Sequence, residues 1–207
     1  ELQKNSLNKN YYFYAMNKNR LEAFSDGVLA IIITIMVLEL KMPHTAEWSA
    51  LKELFPIFIS YVLSFTYVGI YWNNHHHLLH ATKHISAGIM WSNLALLFFL
   101  SLVPFGTAWM GENHFAQNTV ILYAIILLMC GFAYSILQRM ISICHTADPH
   151  LVQAMERTKI KGYVSLVGYL LAIPMAFINP YISCGIFVAI GIAWFIPDKN
   201  IEKALKE

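Results

Sequence analysis

Six long apolar stretches, nearly free of charge inside, limit this chain to a small set of folds. A hydrocarbon core of ~30 Å takes about 20 mostly apolar residues of helix at ~1.5 Å rise each. Such stretches run approximately from Asn19 to Lys41, Leu51 to Asn73, Ser86 to Gly111, Phe115 to Leu137, Gly162 to Ile178 and Tyr181 to Ile196. Only Asn179 and Pro180 separate the last two, a turn signal that makes them a helical hairpin. The predicted fold class is an all-α integral membrane protein with six transmembrane helices. Composition agrees: of 207 residues, 57% are hydrophobic and 13% charged, where soluble domains carry roughly a quarter charged. A net charge of +2 gives no ground for a nucleic-acid partner. Cys130, Cys144 and Cys184 form no CxxC pair and read as packing residues, not as a disulfide framework or a thiolate metal site.

Lysine and arginine orient the spans, because positively charged loops stay on the cytoplasmic side. Lys4, Lys9, Lys18 and Arg20 precede the first span, Lys83 follows the second, Arg139, Arg157, Lys159 and Lys161 follow the fourth, and Lys199, Lys203 and Lys206 follow the sixth. Twelve of the 14 basic residues thus fall on one face, against Lys41 and Lys52 on the other. Both termini are expected to be cytoplasmic. Glu1 to Asn10 is polar, and the aromatic run Tyr11 to Tyr14 and then Met16 follow it. Residues 1–15 read as an N-terminal extension of upstream or introduced sequence, 16–198 as the six-span domain and 199–207 as a cytoplasmic tail. No secretory signal pattern precedes the first span.

That first span is the unusual one. Ionisable groups inside a span cost ~2.5 to 3.5 kcal/mol at its centre on insertion scales and usually face protein or water. Here Arg20, Glu22, Ser25 and Asp26 occupy its cytoplasmic third, and then an apolar run from Val28 to Leu38 is broken only by Thr34. Arg20 and Glu22 lie near enough to the end to snorkel, whereas the short Asp26 reads as bonding to a neighbouring helix. At 100° per residue, Ile31, Thr34, Ile35 and Leu38 fall on one face. Around a symmetry axis that stripe forms stacked aliphatic rings with a hydroxyl ring between them. Periodicity alone does not choose among pore, lipid and helix packing.

The residues Arg20-Leu-Glu-Ala-Phe24-Ser25-Asp26 resemble the R-x-x-x-F-S-D signature of the transmembrane protein 175 family of potassium-permeable channels. Thr34, Ile35, Leu38 and Glu39 extend the resemblance, as do Trp72 with His75 to His77, and Trp91, Asn93 and Pro104-Phe105 in span three. It implies a homotetramer in a prokaryotic plasma membrane whose first helices line a central pore. Ile31, Ile35 and Leu38 would be gate and constriction, and Thr34 the hydroxyl ring. Arg20, Phe24, Ser25 and Asp26 would form a network with Trp72, with His76 or His77, and with Asn93. No cofactor is implied beyond permeant potassium ions, and the partners are further copies of the chain and the lipid bilayer.

Other classes stay in view. A secondary transporter or proton-coupled carrier also uses intramembrane Arg, Asp and His, and Pro104 and Pro174 interrupt spans three and five. His76 with His80, or His80 with His84, has the i, i+4 spacing of metal ligands, yet no H-E-x-x-H occurs. His114, His145 and His150 read as loop residues, Asp148-Pro149 as a turn in the long loop after span four, and the Arg157, Lys159 and Lys161 group as a headgroup anchor. Gly185, Ala189 and Ala193 form a small-residue face suited to close helix packing.

Overall fold

The computed structural model describes residues 2–80, 82, 85–144 and 149–195, with side chains for 18–80, 82, 85–144 and 159–195. His84, His145, Asp148 and the tail 199–207 lie outside the described residues, as does the side chain of Arg157. Among the described residues every regular element is a helix: α1 Leu2–Leu38, α2 Trp48–Glu53, α3 Phe55–His80, α4 Ala87–Ser101, α5 Val103–Glu112, α6 Gln117–Cys144, α7 Pro149–Ile178 and α8 Pro180–Phe195. Among the described residues five segments are long and apolar enough to cross a bilayer, 18–38, 55–80, 87–112, 117–144 and 159–178. The chain is a multi-pass membrane protein. The sixth stretch, α8, is apolar throughout but has 16 residues, about 24 Å at ~1.5 Å each.

Several boundaries differ from the sequence reading, each for a local reason. No glycine or proline occurs between Leu2 and Asp26, so α1 begins well before Asn19. Span two starts after a break at Leu54, with Pro56 in the first turn of α3, where a missing N–H costs nothing. Span three is two helices, because Pro104 cannot continue the hydrogen-bond ladder and the chain bends at Leu102. Helix α7 opens on Pro149 and meets no breaker before Gly162, so His150, Arg157, Lys159 and Lys161 are helical rather than looped. His114 is in the α5–α6 connection and adopts φ 50°.

The core lies along α6, which packs against α4, α5, α7 and α8. Tyr67, Tyr123, Tyr169 and Phe187 are fully buried there, with the Tyr123 and Phe187 rings edge to face at 5.5 Å. Buried hydroxyls still need partners in lipid. Tyr123, Ser64 and Thr107 therefore link in a chain of 2.8 and 2.6 Å contacts that ends 2.7 Å from the Val103 carbonyl, joining α6, α3 and α5 beside the bend. On α8 the buried face is Ser183, Phe187, Ile190 and Gly191. Gly185, Ala189 and Ala193 are exposed, so the small-residue face packs against nothing in this subunit. Cys144 is likewise exposed, whereas Cys130 is buried and Cys184 half-buried.

Candidate functional site

Helix α1 divides into two faces between Val28 and Leu38. Leu29, Ile32 and Met36 are buried against the rest of the subunit, in contact with α3, α4 and α5. The opposite stripe is turned out: Ile31 is 58% exposed, Ile35 42% and Leu38 75%, and Thr34 is exposed with them. The Thr34 hydroxyl donates to the Ile31 carbonyl at 2.9 Å, which spends its one proton within the helix and leaves the oxygen lone pairs facing outward. An open groove runs beside this stripe, walled by Pro104, Phe105 and Trp109, with Glu39 and Glu112 also lining it.

Below the stripe, polar residues fasten α1 to its neighbours. Ser25 is fully buried, and its hydroxyl donates to the Leu21 carbonyl at 2.8 Å while it accepts from Asn93 Nδ2 at 2.9 Å. That fixes the Asn93 amide, so its Oδ1 faces His75 Nε2 at 2.6 Å and takes the proton there. His75 Nδ1 is consequently a bare acceptor, buried and without a partner among the described residues. Trp72 Nε1 donates to Asp26 Oδ1 at 3.1 Å. The buried histidine is thus His75. His76 faces α1 elsewhere, with Nδ1 3.3 Å from Glu22 Oε1, and His77 is exposed with its ring against that of His76. Arg20 and Phe24 are both exposed and take no part in these bonds. Three residues that sequence reasoning left out of the network, Glu22, His75 and Lys18, are in it. Lys18 donates to the His80 carbonyl at 2.8 Å.

The C-terminal end of α1 is tied as well. Lys41 Nζ meets Glu112 Oε1 at 2.6 Å. The Glu112 carboxylate, first by hydrogen bonding and then by its charge, raises the Lys41 ammonium above the ordinary lysine value. Among the described residues no three of His, Cys, Asp or Glu gather in a metal-binding set.

A potassium channel from Chryseobacterium sp. (strain P1-3) is 52% identical over 192 residues, covering 93% of this chain and all of that protein. Residues 20–104 match the family described as the endosomal/lysosomal potassium channel TMEM175. This chain belongs to the TMEM175 family. The crystal structure of a lysosomal potassium-selective channel TMEM175 homolog from Chamaesiphon minutus superposes with a TM-score of 0.78 at 26% identity, over 87% of this chain and 97% of that one. The human endosomal/lysosomal proton channel TMEM175 is 35% identical over 96 residues, which is 40% of this chain and 19% of that longer protein. Family members are channels and not enzymes, so the polar residues of this TMEM175 chain are weighed as channel parts.

Proposed function

We propose that this protein is a potassium-permeable cation channel: four copies meet about an axis, and α1 of each lines the pore. The observation that carries this reading is the outward stripe of α1, whose aliphatic rows carry a hydroxyl whose oxygen is free to meet a cation. The family and its potassium-channel relatives support potassium as the permeant ion. Ile31, Ile35 and Leu38 act as gate and constriction, and Thr34 supplies oxygens between them. The sequence has no T-V-G-Y-G segment for a carbonyl filter. Selection then rests on partial dehydration at the aliphatic rings, where potassium sheds water at lower cost than sodium. The groove beside α1 receives the neighbouring subunit, and both termini face the cytoplasm of a prokaryotic cell.

The test is reconstitution into potassium-loaded liposomes with a flux assay, followed by single-channel recording. Potassium flux above sodium flux and unitary conductance steps are expected, and Ile31→Asn wets the constriction and raises the leak. Flux without unitary steps points to a carrier. An Ile31→Asn channel with unaltered open fraction removes Ile31 from the gate.

A further inference from the structure

Helices α1 and α3 run antiparallel, and their cytoplasmic ends meet in three rungs. Lys18 reaches the His80 carbonyl at 2.8 Å, Glu22 Oε1 lies 3.3 Å from His76 Nδ1, and Asp26 accepts from Trp72 at 3.1 Å. Each rung is one i, i+4 step from the next on both helices, so the same face of α1 meets the same face of α3 for two turns. One outer rung is an ammonium on a backbone carbonyl, the other an indole N–H on a carboxylate. The middle rung pairs a carboxylate with an imidazole, the side-chain type that serves most often as a proton switch.

We infer that Glu22 and His76 form a proton-responsive positioning pair for α1, an inference that rests on the pore reading above. Neither residue is part of the R-x-x-x-F-S-D signature. The His76 side chain is 42% exposed in the subunit, while that of Glu22 is 21% exposed and more sheltered. The Trp72 ring stacks on His76 at 6.1 Å and 25°. The charged groups around the pair are Lys18, Arg20 and Asp26 on α1 and, among titratable ones, His75, His77 and His80 on α3. Helix α4, which also packs here, has no ionisable residue. Protonation turns a weak neutral contact into an ion pair and draws the base of α1 onto α3. Ile31 lies five residues beyond Asp26 on the same helix, so a change in tilt at the rung reaches the outward stripe.

The experiment is planar-bilayer recording of the full chain in symmetric potassium, with pH lowered from about 7.5 to about 5.5 on each face in turn. Acid on the face that carries Lys18 changes the current several-fold. Glu22→Gln and His76→Gln conduct but lose that response, their double variant loses nothing more, and the exchange Glu22→His with His76→Glu restores it. His76→Lys, charged throughout, holds the acid-state current at both pH values and decides the matter if His76→Gln does not assemble. A wild-type response unchanged in these variants, or abolished instead by His77→Gln or His80→Gln, overturns the inference. So does a conducting wild type indifferent to pH on that face. A wild type that carries no cation at any pH overturns the channel reading itself.

Discussion

Asn93 of α4 donates its side-chain amide to the Ser25 hydroxyl of α1 at 2.9 Å, across 68 residues of sequence. Both residues are fully buried, and the same amide accepts from His75 of α3. One side chain therefore ties three helices together at the base of the outward stripe. Asn93→Leu removes two hydrogen bonds, but the orphaned His75 N–H sets the size of the loss. An unsatisfied buried donor costs about 1–3 kcal/mol, while polar contacts between membrane helices average only ~0.6 kcal/mol each. Unfolding in detergent should show a loss of about 1–3 kcal/mol, partly recovered when His75→Leu is added. A loss no larger than that of Ser25→Ala would mean that water satisfies the histidine.

Much of this arrangement was legible beforehand, and the part that was not has a geometric reason. Span positions follow from hydropathy and helix rise, Ser25 and Asp26 stand out as polar groups inside a span, and Trp72 and Asn93 enter through the family resemblance. Which of His75, His76 and His77 turns inward was not readable, because consecutive helical residues point 100° apart and only the placed neighbour chooses among them. Glu22 was passed over because a residue near a membrane end can snorkel to water. Within the subunit α8 packs through Phe187 rather than through its small-residue face, because small residues permit close approach without requiring it.

Two glycines differ in what an added side chain would meet. A methyl group on Gly111 would lie 2.5 Å from Ser60 Oγ and 2.8 Å from the Ile57 Cα, whereas one on Gly27 meets nothing within 4 Å. Gly111→Ala must push α5 away from α3, at about 1–3 kcal/mol for an overpacked site. Gly27→Ala should stabilise the isolated subunit by up to about 1 kcal/mol through helix propensity. Thermal midpoints of the two variants in detergent are expected to move in opposite directions. Loss of the assembled species in Gly27→Ala would place that glycine against a neighbouring copy.

The Lys41–Glu112 pair just beyond the C-terminal end of α1 is short but exposed on both sides, and exposed pairs contribute little to stability. Its pH signature is nevertheless defined. A lysine raised by its partner contributes stability that is fully present below the unfolded lysine value and is lost as pH rises through the higher folded value. Glu112→Gln should therefore lower stability slightly between about pH 6 and 9, where the contribution of the pair is present, and the two proteins should converge as pH rises through the folded lysine value. Alkaline titration of unfolding in detergent checks this, and a difference that persists above that value would mean that Glu112 has another partner in the assembly.

Thr34 offers the sharpest test of how ions are chosen. Its hydroxyl proton is committed to the Ile31 carbonyl at 2.9 Å, so toward the outward side it can only accept, as a cation requires. Valine has the same shape without the oxygen, so Thr34→Val separates the chemistry of the ring from its width. A tenfold change in relative permeability corresponds to ~1.4 kcal/mol, the scale of one net hydrogen-bond contribution. The expected result in the proposed pore is therefore a fall in potassium preference over sodium of up to about tenfold, with conductance retained because Ile31 and Leu38 are untouched. Reversal potentials in mixed potassium and sodium measure it. An unaltered reversal potential in Thr34→Val would assign selectivity to ring width alone, and Ile35→Ala would then be the variant that relaxes it.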